Sequence, residues 1–336
     1  MLISVLMPVR NARATVARAV ASIRRQSCPD WELVAVDDGS DDGTRDWLRE
    51  EARREPRLRL VEQPAAGIVA ALERGRSECR GGLIARMDAD DEAHPERLAE
   101  QRALLVARPE VGVASCLVEH GGERRTQAGY ARHVDWLNSL LTPEQLALNR
   151  FVESPVAHPS VMFRSELAGR LGGYRSGDFP EDYELWLRWM DAGVRMAKVA
   201  RPLLTWHDPP GRLSRTDARY SPEAFFRLKA AWIAREVGRL PGPARPVLVW
   251  GAGRPTRKRA AHLPEHGLGI AGYVDIDPRK IGRKVNDLPV LAPRELPPPA
   301  RAVVLGYVAS RGARELIRAD LAGRGYREGR DFLLCA

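Results

Sequence analysis

Cysteine is scarce in this sequence of 336 residues, and long apolar runs are missing from it. The four cysteines, Cys28, Cys79, Cys116 and Cys335, are far apart and form no Cys-x-x-Cys pair, so we expect neither a zinc site nor a disulfide framework. Reduced thiols are typical of a cytoplasmic protein. No apolar stretch approaches the roughly 18 residues of a membrane-spanning helix. The N-terminus lacks the basic segment and cleavage site of a signal peptide, so we expect a cytoplasmic location.

Lysine is also rare, although the formal net charge is +9, because arginine supplies most of the positive charge. The lysines are Lys198, Lys229, Lys258, Lys280 and Lys284. A coding bias toward arginine explains this composition as well as attraction to an anionic partner does, such as a nucleoside diphosphate or anionic lipid headgroups. The lipid alternative predicts peripheral contact with the inner face of a membrane. Nucleic-acid motifs are missing, so we expect no nucleic-acid partner.

Hydrophobic and charged residues, at 44% and 29%, have the proportions of a globular protein. The length exceeds that of one ordinary hydrophobic core and suits two domains. Residues 241–246 contain closely spaced proline and glycine and are interpreted as a linker. The predicted domains are therefore residues 1–240 and 247–336.

Strands alternate with helices over about the first 115 residues. Short apolar runs predict strands at Leu2–Met7, Trp31–Val36, Leu58–Val61, Leu83–Met87 and Val111–Val118. Apolar residues at helical spacing predict helices at Ala14–Arg25, Gly43–Arg53, Gly67–Glu78 and Pro95–Ala107. This pattern predicts an α/β fold with a mostly parallel sheet flanked by helices on both faces.

Polar clusters follow three of these predicted strands. They are Pro8-Val9-Arg10-Asn11, Asp37–Ser40 and Asp88–Asp91. In open α/β sheets, ligands bind beyond the carboxyl ends of the strands. We therefore expect the three clusters to share one pocket.

An Asp-x-Asp pair, Asp88 and Asp90, follows the fourth predicted strand. Carboxylate oxygens are the ligands that Mg2+ and Mn2+ prefer, and alternate residues of an extended segment point to the same side. Such an ion neutralises the charge that develops on a departing phosphate. The alternative is a solvated turn or a helix cap, in which Asp91 would help to cap the helix that begins at Pro95.

Two further acidic positions have a structural and a chemical interpretation. Asp38 either accepts a hydrogen bond from a pyrimidine N–H or caps the helix that begins at Gly43. Glu181-Asp182 begins an amphipathic helix, where negative charge is favourable in itself. The chemical alternative is a general base that removes a proton from an alcohol.

Residues 120–157 are less regular and more polar than the segment before them. The predicted elements are strands at His158–Arg164 and Leu203–Trp206 and helices at Glu181–Ala192 and Pro222–Gly238.

A second α/β pattern begins at Val247–Trp250 and continues with Gly251-Ala252-Gly253. A Gly-x-Gly turn after a strand suits a dinucleotide, and the segment is similar to the Rossmann-like N-terminal domains of some sugar acyltransferases. Thr256 occupies the place of the third glycine, which argues against tight NAD binding and favours an accessory module. In the alternative, Arg254 and Arg257 hold a phosphate.

Seven segments, in this order, carry a resemblance to a known family: SVLMPVRNA, LVAVDDGSDDGT, AGIVAALERG, LIARMDADDEAHPERL, HPSVMFR, LGGYRSGDFPEDYELWLRW and LLTWHDPPGRLSR. Over residues 1–215 the chain resembles the family 2 glycosyltransferases of the GT-A fold. The QxxRW motif of the family's processive synthases is missing, which favours the addition of single sugars.

The resemblance implies an inverting transfer from a UDP-, dTDP- or GDP-sugar to a glycan or lipid-linked acceptor, with Mg2+ or Mn2+, in the synthesis of surface polysaccharide or a glycoconjugate. Residues that it places around the nucleotide are Pro8, Val9, Arg10, Asn11, Asp38, Gly67, Arg86 and Asp88.

The resemblance also implies metal ligands and a base. Asp88 contacts ribose or metal, Asp90 binds the metal, and His207 approaches the metal or the diphosphate; the alternative for His207 is a surface loop. Asp182 is the implied catalytic base, and Glu181 is the second candidate. For His158 we favour a structural role.

Two other functions use similar features. A nucleotidyltransferase also combines acidic residues and a metal on an α/β sheet, but a glycine-rich, lysine-containing triphosphate loop near the N-terminus is missing. A non-catalytic nucleotide-sugar-binding protein does not require the complete set of Asp38, Asp88, Asp90 and Asp182. We therefore favour the transferase.

Overall fold

The structure, a computed structural model, describes residues 1–209 and 211–336, and these group into two units. The N-terminal unit consists of Met1–Ala147, Pro155–Gly177 and Glu181–Thr216. The C-terminal unit consists of Leu148–Ser154, Asp178–Pro180 and Asp217–Ala336. The predicted domain boundaries at 240 and 247 stay a prediction.

The N-terminal unit is built on one large sheet. Its strands are β1 (Ile3–Val9), β2 (Trp31–Asp38), β3 (Leu58–Gln63), β4 (Leu83–Arg86), β5 (Glu92–Ala93), β6 (Val111–His120), β7 (Met162–Arg164) and β8 (Arg195–Trp206). They lie in the order β3-β2-β1-β4-β7-β6-β8-β5. Strands β5 and β7 pair antiparallel with their neighbours and the other pairings are parallel, so the prediction of a mostly parallel sheet is confirmed.

Helices connect these strands and cover the sheet. They are α1 (Val16–Arg24), α2 (Thr44–Arg54), α3 (Ile68–Glu78), α4 (Arg97–Ala107), α5 (Ala128–Ser139), α6 (Pro143–Asn149), α7 (Ser165–Leu171), α8 (Glu181–Asp191) and α9 (Leu213–Thr216). All residues of β1 and β2 are buried, because helices lie on both faces of a parallel sheet.

Two hydrophobic cores follow from the alternation of side chains along β1. Val5 and Met7 pack in one core together with Val20 of α1. Leu6 points to the other face and packs in a second core with Trp186 of α8. The sheet is thereby fixed on both sides, and the polar residues beyond its strand ends are held by a rigid base.

Two predicted elements were wrong in detail. His158–Ser160 forms a 3₁₀ turn, and the strand covers only Met162–Arg164, since Pro159 has no N–H to give to a sheet. Strand β8 begins at Arg195 rather than at Leu203. Charged residues interrupt the apolar pattern in its first half, so the sequence predicted only its second half. One of these charged residues, Lys198, is nevertheless buried and donates to the Leu137 carbonyl at 2.5 Å.

The C-terminal unit contains a second sheet. Its strands are β9 (Val247–Trp250), β10 (Ile270–Val274), β11 (Lys284–Val285), β12 (Leu288–Leu291), β13 (Val303–Gly306) and β14 (Phe332–Leu334). The helices of this unit include α10 (Pro222–Arg239), α11 (Arg254–Ala260) and α12 (Ala313–Gly323). The order is β11-β12-β10-β9-β13-β14, with β11 alone antiparallel within the described part of this sheet. From β12 to β14 this is the 3-2-1-4-5 arrangement of doubly wound folds.

Among the described residues, no helix combines the length and the apolar character that a membrane-crossing segment needs.

Candidate active site

Three parallel strands bring the predicted polar clusters to one edge of the sheet. In the pairing of β1 with β2, Val9 lies opposite Asp37, and in its pairing with β4, Leu6 lies opposite Arg86. Neighbouring strands are about 4.8 Å apart, so the ends of β2 and β4 are about 10 Å apart, on either side of β1. Asp38 and Asp88 therefore flank the carboxyl end of β1.

Asn11 joins the loops that follow β1 and β2. Its φ of 48° is in the left-handed region, which asparagine tolerates better than most residues. The Asn11 amide donates to Ser40 Oγ at 2.9 Å, and Asn11 Oδ1 accepts from the Asp41 amide at 3.0 Å. These bonds give the edge a defined shape.

The other three residues of the first polar cluster differ in exposure. Pro8 and Val9 are buried within β1, and the Val9 side chain belongs to the hydrophobic core. Arg10 is exposed. Of these three predicted nucleotide-binding residues, Arg10 is thus the one whose side chain is open to a ligand.

Asp38 is buried and holds the loop between β3 and α3. Its Oδ1 accepts from Gln63 Nε2 at 2.7 Å and from the Ala66 amide at 2.8 Å, and its Oδ2 accepts from the Gly67 amide at 2.9 Å. Arg10 Nη1 lies 4.0 Å from Oδ2. A carboxylate has about four acceptor positions, so one position on Oδ2 is left for a ligand.

Gly67 precedes α3 with φ 90° and ψ 169°, a conformation that is accessible essentially to glycine alone. A Cβ atom at this position would meet no heavy atom of the described residues within 4 Å. The backbone conformation, rather than crowding, therefore requires glycine here, and it directs the Gly67 amide toward Asp38.

An acidic cluster follows β4. Asp88, Asp90 and Asp91 each offer one carboxylate oxygen, and these oxygens lie within 4.8 Å of one another. Burial, and next the charge of Asp88, raises the pKa of Asp90 to about 6. Burial, and next the charges of Asp88 and Asp90, raise the pKa of Asp91 well above its usual range. Asp91 Oδ2 is buried without a hydrogen-bond partner among the described residues. A hard divalent cation fits these three oxygens, because it supplies the missing positive charge.

Two buried arginines lie beside the acidic cluster. Arg86 Nη1 donates to Asp88 Oδ1 at 2.5 Å. Arg97, fully buried at the start of α4, donates from Nη2 to the Arg86 carbonyl at 2.6 Å and from Nε to Gln101 Oε1 at 3.1 Å. Arg97 thus supports the end of β4 through the Arg86 carbonyl, and this role was not predicted from the sequence.

His207 follows β8 and contacts the acidic segment through its backbone and its ring. Its amide donates to Asp91 Oδ1 at 2.8 Å. The ring nitrogens are engaged elsewhere: Nδ1 lies 2.7 Å from the Gly121 carbonyl and Nε2 lies 3.3 Å from Glu92 Oε1. Arg18 lies 3.2 Å from the same Glu92 oxygen. The structure therefore brings Asp91, and not the His207 ring, together with Asp88 and Asp90.

Asp182 lies in the first turn of α8 and accepts a hydrogen bond from the Tyr183 amide at 2.7 Å. Burial, and next the neighbouring charge of Glu181, raises the pKa of Asp182 to about 7. The guanidinium groups of Arg86 and Arg212 oppose this rise, and the same two groups also oppose the raised pKa of Asp90. Asp182 and the acidic cluster are therefore within electrostatic reach of the same two arginines.

His158 has a buried partner. Its Nε2 lies 2.8 Å from the Tyr174 hydroxyl, and its ring meets the Trp186 ring edge-on at 6.0 Å. Burial, and next the charge of Arg86, lowers the pKa of His158 well below its usual range, so the ring is neutral. This neutral, packed imidazole agrees with the structural role that we favoured.

A comparison with known protein families bears on this arrangement. The model of the family described as glycosyl transferase family 2 matches residues 4–172, about half of the chain. The chain belongs to glycosyltransferase family 2. The match includes β1 to β4, the acidic cluster and Asp38.

Curated relatives of this family 2 glycosyltransferase agree with the assignment. The putative glycosyltransferase EpsE of Bacillus subtilis (strain 168) is 30% identical over 227 residues, which cover 65% of this chain and 77% of the relative. The O-antigen biosynthesis glycosyltransferase WbnJ of Escherichia coli is 28% identical over 210 residues, which cover 61% of this chain and 79% of the relative.

A solved structure shares the fold of this glycosyltransferase. The mannosyltransferase PcManGT from Pyrobaculum calidifontis, in complex with GDP-Man and Mn2+, aligns with a TM-score of 0.50 and 22% identity. The alignment covers 79% of this chain and 69% of that chain. At this identity the likeness concerns the fold, and it agrees with the GT-A fold that the sequence predicted.

Two residues of this glycosyltransferase site besides Arg97 were not predicted from the sequence. Asp91 was expected only in the alternative in which it caps the helix that begins at Pro95, although its position next to Asp90 was a signal for a third carboxylate in the cluster. Nothing in the sequence indicates that the charge of Arg212 acts on Asp182 and Asp90.

The Gly-x-Gly turn of the C-terminal unit is tightly packed. Gly251 has φ 110°, and a Cβ there would lie 2.7 Å from Thr256 Oγ1 and 2.7 Å from Val308 Cγ2. Arg254 is exposed, and Arg257 Nη1 lies 3.4 Å from Asn286 Oδ1. Thr256 thus fills space against the turn in the place of the third glycine.

The acidic residue after β10 is also engaged within the C-terminal unit. Asp275 Oδ2 accepts from the Ala252 amide at 2.8 Å and from Lys280 Nζ at 3.1 Å, and Oδ1 accepts from the Asp277 amide at 2.9 Å. In dinucleotide-binding folds a carboxylate at this place binds a ribose. Three internal bonds thus hold the Asp275 carboxylate, and the expectation that this unit does not bind NAD tightly stays a prediction.

Proposed function

We propose that this family 2 glycosyltransferase transfers a sugar from a nucleoside-diphosphate donor to an acceptor hydroxyl, with inversion at the anomeric carbon and with Mg2+ or Mn2+. The observation that supports this most is that Asp182, a carboxyl group with a pKa of about 7, shares Arg86 and Arg212 with the acidic cluster. A base and a cation site at one sheet edge are what such a transfer needs.

The nucleotide would lie over the ends of β1 and β2. The remaining acceptor position on Asp38 Oδ2 suits a base N–H, and Gly67 leaves the space beside it open. The exposed Arg10 and Asn11 would border the same pocket together with the backbone of Pro8 and Val9. Arg86 and Asp88 lie on the other side of β1, where a ribose and a diphosphate would follow.

Asp88, Asp90 and Asp91 would hold the cation. This set differs from the expected one, because both ring nitrogens of His207 already face other groups, while its amide fixes Asp91. A bound divalent ion would supply positive charge to the departing diphosphate.

Asp182 would act as the base of a single displacement. Its carboxylate takes the proton of the acceptor hydroxyl while the acceptor oxygen forms a bond to the anomeric carbon. The bond from that carbon to the diphosphate oxygen breaks on the opposite side, and the electron pair leaves with the nucleoside diphosphate. A pKa of about 7 suits this role, since the carboxylate is then available at neutral pH and still basic. Glu181 stays the second candidate.

The comparisons support the choice of substrates. PcManGT is named as a complex with GDP-Man and Mn2+, which supports a nucleotide-sugar donor and a divalent cation. WbnJ is named for O-antigen biosynthesis, which supports a glycan or lipid-linked acceptor in surface polysaccharide synthesis.

The experiment is a screen of UDP-, dTDP- and GDP-sugars, with lipid-linked and free glycan acceptors, in the presence of Mg2+, Mn2+ or a chelator. We expect release of nucleoside diphosphate that depends on both the cation and the acceptor, and a product of inverted configuration by NMR. Nucleotide release that is equal with and without a chelator would contradict the cation site. A product of retained configuration would contradict the single displacement.

We also propose peripheral contact with anionic membrane surfaces at the cytoplasmic face, which the net charge of +9 supports. The expected result is co-sedimentation with anionic vesicles at low salt and loss of binding as salt is raised. Equal binding to neutral and anionic vesicles, or no binding to either, would contradict it.

A further inference from the structure

Arg212 lies in the segment that follows β8 and is held by aromatic groups. Its Nη1 donates to the Tyr130 hydroxyl at 3.0 Å, and its guanidinium carbon lies 4.5 Å from the centre of the Trp206 ring. Its nearest carboxylate contact is Asp208 Oδ1 at 3.8 Å. A guanidinium has five N–H donors, and Tyr130 takes one of them, so the aromatic groups fix its position without using up its donors.

Asp208 anchors this segment to the rest of the N-terminal unit. It is buried, its carbonyl accepts from Gln127 Nε2 at 3.0 Å, and its Oδ2 accepts from Arg215 Nη2. The Arg212 amide donates to the Pro209 carbonyl at 3.1 Å. Arg215 therefore provides the close ion pair to Asp208, whereas Arg212 lies 3.8 Å from the other oxygen of this carboxylate.

The end of β8 contacts the acidic cluster, and Arg212 lies over the ring of Trp206, the last residue of that strand. Thr205 of β8 pairs with Glu92 of β5, and Glu92 directly follows that cluster. Two residues after Thr205, the His207 amide donates a hydrogen bond to Asp91. The charge of Arg212 also acts on Asp182, whose raised pKa it opposes, which agrees with this geometry.

In the proposed function, the donor would have its diphosphate at the acidic cluster and its anomeric carbon near Asp182. Its leaving group would then lie near the end of β8 and the segment that carries Arg212. The diphosphate is anionic, and its charge increases as the bond to the sugar breaks. A planar guanidinium that binds two oxygens at once matches such a group better than an ammonium does. Arg86 Nη1 donates to Asp88, and Arg212 Nη1 donates to the neutral Tyr130 hydroxyl, so the remaining donors of Arg212 are available to the diphosphate.

We propose that Arg212 binds the diphosphate of the donor and of the departing nucleotide, and that Tyr130 and Trp206 position its guanidinium for this contact. This inference rests on the proposed function. It adds a cationic contact to the leaving group from the segment after β8, in addition to the acidic cluster after β4.

The test measures the binding of UDP, UMP and uridine, and of the GDP and dTDP series, to the full chain with Mn2+ by calorimetry. For the series that the wild type binds, Arg212→Met should weaken the diphosphate by roughly ten- to a hundred-fold, as expected for loss of charged hydrogen bonds. The nucleoside should bind as before, and Arg212→Lys should recover part of the loss. Tyr130→Phe should show a smaller loss that is also confined to the phosphorylated ligands.

Arg215→Met is the matched control, because Arg215 lies on the same segment and contacts the same Asp208. We expect wild-type affinity for all ligands in this variant. If Arg215→Met weakens the diphosphate as much as Arg212→Met does, or if Arg212→Met weakens the nucleoside equally, the assignment to Arg212 is wrong. If the wild type binds none of the three diphosphates, the proposed function itself is contradicted. Unchanged diphosphate binding in Arg212→Met overturns only the present inference.

Discussion

The amide of His207 donates a 2.8 Å hydrogen bond to the Asp91 carboxylate and so joins the end of β8 to the acidic cluster after β4. This bond uses one oxygen of Asp91 and leaves Oδ2 without a hydrogen-bond partner among the residues that the structure describes. A buried carboxylate oxygen without a partner is energetically costly, and a bound cation would remove much of that cost. In the proposed cation site, His207 would therefore position Asp91, and Asp91 would be a ligand of the cation.

Asp91→Asn should therefore weaken Mn2+ binding while it keeps the fold. The amide oxygen of asparagine still accepts the bond from His207, but the negative charge is lost. Loss of a residue that only supports a metal ligand weakens metal binding by roughly 10- to 100-fold. Loss of the charge of a ligand itself should raise the Kd for Mn2+ by at least that factor. Titration of Mn2+ followed by electron paramagnetic resonance measures it. Asp30→Asn, at an exposed pair with Arg102, is the control, and equal Kd values in the two variants would exclude Asp91 as a ligand.

Asp182→Asn should abolish most of the turnover and leave the donor bound. Loss of a positioned base reduces kcat by roughly 10²- to 10⁴-fold, whereas the donor diphosphate does not depend on this carboxyl group. Steady-state kinetics and donor calorimetry separate the two effects. Asp191→Asn, at the other end of α8, should behave as the wild type. Full turnover in Asp182→Asn would disprove the base assignment.

The same variant should be more stable than the wild type at pH 8. The pKa of Asp182 is about 7 in the folded chain, above its ordinary value of 3.8, so ionisation opposes folding. This destabilisation is missing below the lower value, grows between the two values and is complete above pH 7. Thermal melts should show a higher Tm for Asp182→Asn at pH 8 and little difference at pH 4. A lower Tm at pH 8 would contradict the raised pKa.

Glu181→Gln should move the acid limb of the pH profile. In the wild type, kcat should rise with pH around a midpoint near 7, where Asp182 loses its proton. The charge of Glu181 contributes to that high pKa, so its removal should shift the midpoint to lower pH while kcat on the plateau is maintained. The measurement is kcat between pH 5 and pH 9. If the plateau itself collapses, Glu181 rather than Asp182 is the base.

Asp38→Asn should destabilise the chain as well as change nucleotide binding. An asparagine has only one oxygen, so it cannot accept the bonds from Gln63, Ala66 and Gly67 together. Leaving a buried donor unpaired costs about 1–3 kcal/mol. Urea unfolding should show this loss, and Asp41→Asn, exposed in the same loop, is the control. Unchanged stability would mean that Asp38 does not hold the loop.

Lys229→Met should remove a pH dependence of stability in the C-terminal unit. Lys229 is buried, donates to the carbonyls of Phe151 at 2.8 Å and Val152 at 3.1 Å, and lies 4.0 Å from the Phe226 ring. Burial lowers its pKa from 10.5 to about 7, so the stability of the wild type should increase as pH rises from 7 toward 10.

The increase should be on the order of 1–3 kcal/mol between pH 7 and pH 9, since each unit of pKa difference corresponds to about 1.4 kcal/mol. Urea unfolding at the two pH values measures it, and Lys229→Met should lack it. Lys258→Met, at an exposed position of the same unit, should keep it. The same pH increment in wild type and Lys229→Met would show that Lys229 is not its source.

The ends of the first strands could be predicted because each of them follows from local sequence. Asp38 and Asp88 come directly after buried strands, and parallel strands end at a common edge. The hydrogen-bond donor to Asp91 is the amide of a residue 116 positions later in the chain. A local sequence pattern cannot predict a contact between residues so far apart in the chain. Arg212 was missed for the same reason, because its neighbours Tyr130 and Trp206 come from α5 and β8.

Burial of charge explains the other differences between sequence and structure. Arg97, Lys198 and Lys229 are buried, although composition alone assigns such residues to the surface. Each of them donates to backbone carbonyls, which cannot be recognised in a sequence. For this reason the strand predicted from the sequence was shorter than β8. The support of β4 by Arg97 could not be predicted for the same reason.

The three internal bonds of Asp38 also bear on attempts to engineer a different donor preference. A library that varies position 38 would mostly return chains whose β3–α3 loop has lost its anchor, and selection would then act on folding rather than on recognition. Arg10 lies 4.0 Å from the same carboxylate, is exposed and has its side chain open to a ligand. Substrate-range evolution of this enzyme should therefore begin at residue 10 and keep the aspartate fixed.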